Sequence, residues 1–124
     1  METKHKFDLE DRLIQFAVSC IQTAEKLPRT FAGNHLSGQL TKSGSAPALH
    51  YGEAQSAESR NDFIHKMKIA LKELRETKNY LVIIQKLNWS ISLNLTALIR
   101  ECTELVFIFL KSVDTASKNT SKKP

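Results

Sequence analysis

Glycine occurs four times and proline three times in 124 residues. A β-sandwich or barrel needs many more turn residues, so this scarcity argues against an all-β fold. Cysteine occurs twice, at Cys20 and Cys102, far apart and in no CxxC pattern. A disulfide-built secreted scaffold and a thiolate zinc site are therefore not expected. The longest unbroken apolar run, residues 105–110, is far too short to cross a bilayer. The opening Met-Glu-Thr-Lys-His-Lys lacks the apolar core of a signal peptide. Together these absences predict a cytoplasmic protein with no membrane partner. GxGxxG, GxxxxGK[ST] and HExxH motifs are missing too, so no cofactor and no metal are expected.

What remains is a chain long enough for one domain with a core of its own. Charged residues make up 25% and hydrophobic residues 41%, ordinary values for a globular protein. The net charge is +5. Lys4 and Lys6 against Glu2 leave +1 at the start. Lys118, Lys122 and Lys123 against Asp114 leave +2 at the end, so residues 7–113 carry only +2. Much of the basicity thus lies near the ends.

Four helices follow from apolar periodicity. Leu9, Leu13, Phe16, Cys20, Ala24 and Leu27 recur at three- and four-residue steps, which puts them on one helical face. Asp8 is a good N-cap, and Pro28 closes the segment. Asn34 is the expected cap of a second helix. Gly44, Pro47 and Gly52 fall inside that helix, and Pro47 predicts a kink or break near residues 43–47. In the third, Phe63, Met67, Ala70, Leu74, Thr77, Leu81 and Ile84 alternate steps of four and three without a miss, behind a Ser59/Asp62 capping box. Asn88, Trp89 and Ser90 form the next turn. Ser90 or Ser92 then caps a fourth helix with Ile91, Leu95, Leu98, Cys102, Leu105 and Phe109 on its stripe. The expected helices are 8–27, 34–57, 59–87 and 91–113. The expected architecture is an all-α, antiparallel up-down-up-down four-helix bundle over 8–113. Residues 1–7 are expected to be a flexible segment and 114–124 a disordered basic tail.

A specific pattern runs along this frame. Leu27-Pro28-x-Thr30-x-x-Gly33-x-x-Leu36-x-x-Gln39-Leu40 leads to Ser43-Gly44-Ser45. Then come Glu53-Ala54-x-x-Ala57-x-Ser59-x-x-Asp62-Phe63-Ile64-His65-Lys66 and Ile69-Ala70-Leu71-Lys72-Glu73-Leu74-x-Glu76-Thr77. Over roughly residues 9–110 the chain resembles the bacterial four-helix-bundle family first described from intervening sequences in 23S rRNA genes. That resemblance implies a ring-like homo-oligomer, typically a pentamer, and no established enzymatic activity. It also implies kinship with accessory proteins of diversity-generating retroelements, whose ring binds nucleic acid and a reverse transcriptase. The chain departs from the family pattern at Pro47 and at His50, where asparagine is common.

Catalytic chemistry finds little support in the residues. Asp62 and His65 share a helix face, but a di-iron bundle needs a second Glu-x-x-His and two further carboxylates. Asp62 reads better as a helix cap. Cys20 and Cys102 fall on core stripes, where a thiol behaves as a small apolar group.

Two surfaces do stand out. His65, Lys68, Lys72, Arg75, Asn79 and Lys86 lie on the back of helix 3, and Lys68, Lys72 and Arg75 are the candidate RNA or DNA contacts. Helix 4 carries apolar residues beyond its stripe, with Ile99, Val106, Phe107 and Leu110 the candidate oligomer interface and Phe107 its anchor. The sequence therefore predicts a non-enzymatic oligomeric scaffold. The second reading is a ring-shaped nucleic-acid-binding accessory protein using the basic face of helix 3.

Overall fold

The computed structural model describes residues 8–89 and 94–121, and side chains as far as Lys118. Four helices account for nearly all of it: α1 (Leu9–Glu25), α2 (Phe31–Gln55), α3 (Arg60–Leu87) and α4 (Leu95–Ser121). No strand occurs among the described residues. Side-chain bonds fix the directions. Gln39 and Ser43 of α2 meet Tyr80 and Thr77 of α3, while Leu74 and Gln85 of α3 meet Cys102 and Thr96 of α4. Residue numbers climb on one helix as they fall on the next, which is the antiparallel bundle expected.

Each helix begins where a side chain can take an orphan backbone N–H. Asp8 accepts from Asp11 N at 3.1 Å and Ser59 from Asp62 N at 3.1 Å, both as expected. Asp62 reaches back to Glu58 N at 3.2 Å, which completes a capping box one residue further upstream than usual. Two caps differ from expectation. Thr30, not Asn34, caps α2 by accepting from Gly33 N at 3.0 Å. Asn94 accepts from Ala97 N at 3.3 Å ahead of α4, whereas Ser90 and Ser92 lie outside the described residues. Asn88 ends α3 in the left-handed conformation (φ 52°), which asparagine tolerates.

The expected stripes form the core. Leu13, Phe16, Cys20, Leu40, Met67, Leu74, Leu81, Ile84, Cys102, Leu105 and Phe109 are almost fully buried. Tyr51 of α2 meets Phe109 of α4 edge-on across the interior, with ring centres 6.0 Å apart. The helices follow one another around the core. α1 packs along α2, α2 along α3 and α3 along α4, whereas α4 closes back on α1 only thinly. Helices α1 and α3 thus occupy opposite corners.

Two expectations need correction. Helix α2 runs through Pro47 without the break that was one of the two outcomes expected there. A helix-interior proline costs about 3 kcal/mol, but this ring is almost wholly buried and recovers part of that as apolar contact. The tail expected to be disordered from residue 114 is helical to Ser121. Ala116 is buried seven residues after Phe109, so the core stripe continues one heptad into the polar run. Asp114 and Lys118 pair at 3.2 Å along the same turn. Residues 1–7 lie outside the described set.

Close approach in the middle of the bundle depends on Gly44. A Cβ built there would lie 2.5 Å from Cys20 Cβ and 2.8 Å from Cys20 Sγ. Beside it Ser43 and Thr77 are buried, and their hydroxyls are hydrogen-bonded at 2.9 Å. Gly38, also inside α2, has nothing within 4 Å of the same built atom. Gly44→Ala should therefore destabilise the protein through forced separation of α1 from α2. Gly38→Ala should stabilise it by about 0.5–1 kcal/mol, the usual helix-interior gain. Chemical denaturation of the two variants checks both signs. Equal shifts would contradict this packing.

Candidate interaction surface

The apolar run 105–110 divides between two surroundings. Leu105 and Phe109 are fully buried, and Val106 and Ile108 are half-buried against the core. Phe107 is 66% exposed and Leu110 40%. Of the four residues expected at an interface, Phe107 and Leu110 therefore stand on the surface, while Ile99 and Val106 pack partly against the core margin. Thr103, Glu104, Phe107 and Ile108 line a shallow depression of about 380 Å³ on this face.

Lys68, Lys72 and Arg75 are all exposed, as are His65, Asn79 and Lys86. None of the six forms a salt bridge among the described residues. Helix α3 carries seven basic residues against Asp62, Glu73 and Glu76, for a net +4. The α3–α4 register follows from Gln85 Nε2 donating to Thr96 Oγ1 at 3.3 Å and Cys102 Sγ meeting the Leu74 carbonyl at 3.2 Å. That register sets Phe107 between the levels of Lys68 and Lys72. The basic stripe and the apolar patch are thus neighbours on one broad face, an adjacency the sequence alone does not reveal.

The opposite edge of α4 faces α1 across a cleft of about 410 Å³. Phe16 and Leu98 line its apolar part, and Gln15, Ser19, Gln22 and Asn94 its polar part. At one end Arg12 spans the gap, holding Glu101 through Nε (2.9 Å) and Nη2 (2.6 Å) and Glu104 through Nη2 (3.0 Å). The forked bond from Glu101 raises the Arg12 guanidinium above its ordinary pKa. A two-bond fork gives geometry as well as energy, so Arg12 ties together the two neighbouring helices that touch least.

Periodicity had left further apolar residues unplaced. Ile14 is 49% and Val18 39% exposed on the outside of α1, and Phe31 and Leu49 stand out from α2. The signal for Ile14 and Val18 was present, because both lie opposite a stripe already complete without them.

Asp62 is engaged as a cap and lies 3.5 Å from Lys66 Nζ. Among the described residues, no three His, Cys, Asp or Glu side chains gather as a metal site would require. No described helix is long and apolar enough to cross a membrane.

With this geometry in place, comparison with known proteins is decisive for kinship. Residues 5–110 match the family described as 23S rRNA-intervening sequence protein. The chain belongs to that family. A solved structure of a protein of unknown function from the S23 ribosomal protein family, from Bacteroides thetaiotaomicron, is similar to it at a TM-score of 0.78. The two share 26% identity over 86% of this chain and 98% of that one. No curated protein matches the sequence. The resemblance drawn from the Glu53 to Thr77 pattern is thus borne out, and neither family description names an enzyme.

Both thiols of this family member sit in the core. Burial pushes Cys20 and Cys102 up to about 12, from an ordinary value of 9.0. The folded chain keeps them protonated where the unfolded chain would ionise them. Their contribution to stability is therefore full below about pH 9 and is lost as pH rises from there towards 12. In native protein at pH 8, neither should react with a thiol-specific disulfide reagent until denaturant is added. Rapid labelling of folded protein would place a thiol at the surface.

Proposed function

We propose that this protein is a non-enzymatic, self-assembling helical scaffold, with the outer face of α4 as a contact between copies. The observation that carries this is the exposure of Phe107 beside Leu110 on a helix whose core stripe is already buried. Leaving large apolar side chains together in water is unfavourable by about 25 cal/mol per Å², and another copy is the simplest cover. The family resemblance implies a cyclic assembly, typically of five. Phe107→Glu should lower the mass of the assembly by light scattering while the helical circular dichroism signal is kept. Retention of wild-type mass by this variant would remove Phe107 from the interface.

A second reading rests on the unpaired basic face of α3. Lys68, Lys72 and Arg75 are positioned to meet phosphates, and a ring would repeat them as a belt. Binding of this kind is sequence-independent and weakens steeply with salt. The kinship with retroelement accessory proteins that the resemblance implies would extend this reading to a reverse transcriptase as a protein partner. Fluorescence anisotropy with labelled RNA and DNA at low salt tests the face. Reversing all three charges should abolish binding. Unchanged binding by that variant would reject the α3 face as the contact.

A further inference from the structure

We infer that one end of the bundle is a docking surface for an anionic lipid bilayer, with Phe31 and Leu87 entering the headgroup layer and lysine and arginine side chains meeting the phosphates. This surface is separate from the α4 contact and does not depend on it. The expectation of no membrane partner came from the lack of a spanning run, and binding at a membrane surface needs no span.

Two connections meet at this end. Helix α1 gives way to α2 across residues 26–30, and Phe31 opens α2. Tyr80 Oη donates to Gln39 Oε1 at 3.2 Å. Counted along both helices from that pair, Phe31 comes level with Asn88, where α3 ends just after Leu87. Phe31 is 92% exposed, the most exposed large apolar side chain among the described residues. Leu87 and, behind it, Ile83 are each 45% exposed. The core has no need of the three, because Leu36 and Leu40 supply the stripe of α2 here, and Leu81 and Ile84 that of α3.

Charge is divided along the bundle in the same sense. In the half that ends at this tip, described residues 22–42, 79–89 and 94–100, Lys26, Arg29, Lys42, Lys86 and Arg100 stand against Glu25 alone, a net +4. The other described residues carry a net −2. All five cations are exposed, and none forms a salt bridge among the described residues. Membrane-surface binding grows with the apolar area placed in the boundary layer and with the attraction of Lys and Arg to anionic headgroups. This end supplies both. Shape favours a bilayer over other occupants. A partner helix lies in an apolar groove, whereas a side chain 92% exposed stands out from the surface. A nucleic acid would engage the cations and stack on Phe31, but it offers aliphatic Leu87 and Ile83 no matching contact.

Vesicle binding by the full chain tests this, with a reporter already in place. The sequence has one tryptophan, Trp89, and it lies at this end. Vesicles of mixed phosphatidylcholine and phosphatidylserine should sediment with the protein at low salt, and vesicles of phosphatidylcholine alone should not. Brominated acyl chains in the mixed vesicles should quench Trp89 fluorescence. Phe31→Ser should raise the apparent dissociation constant roughly tenfold or more, and Lys26→Gln with Arg29→Gln should do the same. Circular dichroism should show both variants as helical as the wild type, because all three side chains are exposed. Failure of the wild type to bind the mixed vesicles would overturn the proposal. Binding that Phe31→Ser leaves unchanged, or that occurs without quenching of Trp89, would place the membrane contact elsewhere and overturn it too. Labelled RNA bound in a Phe31-dependent way, with vesicles left unbound, would assign this end to nucleic acid instead.

Discussion

Everything else in the molecule depends on how closely α2 can be approached in the middle of the bundle. Gly44 offers no side chain to Cys20, and Ser43 and Thr77 satisfy each other in the same interior layer. A larger residue at either point would push α1 or α3 outward and open the core that Leu40, Leu74 and Leu105 fill. With that layer in place, α1, α2 and α3 form a well-packed set. Helix α4 is then held mainly by α3, and by Arg12 gripping Glu101 and Glu104 from α1.

A four-helix bundle has one interior, and each helix buries one stripe in it. For α4 that stripe is complete with Leu98, Cys102, Leu105, Phe109 and Ala116. Ile99, Val106 and Ile108 fill the margins, and the surplus remaining on the surface is Phe107 and Leu110. Alongside it runs the positive stripe of α3. The same local packing that stabilises the monomer therefore produces a face with two properties, apolar surface and unpaired positive charge.

Much of this was legible in the residues. The heptads of α3, the caps at Asp8 and Ser59, and the four-helix count all follow from local spacing, because one helix's periodicity needs no knowledge of its neighbours. Three things were not legible. The start of α2 depended on a choice between Thr30 and Asn34, two competent caps four residues apart. A built Gly33 Cβ would lie 1.8 Å from the Pro28 carbonyl oxygen, so only glycine fits in the turn that Thr30 caps. The end of α4 was masked because its last core residue, Ala116, is small and sits in a run of polar residues. The surface was only half legible. An excess of apolar residues on α4 is visible in the sequence, but how many the core absorbs depends on the rotation of α4 against α3. That rotation also sets the basic stripe beside Phe107.

The central claim is that one chain is not the functional unit. Sedimentation equilibrium of the wild-type protein at micromolar concentration, where its shape does not affect the mass obtained, tests this most directly. The account predicts a mass that is a whole multiple of the 14.0 kDa chain, with five copies expected from the family resemblance. A single species at 14.0 kDa would contradict it.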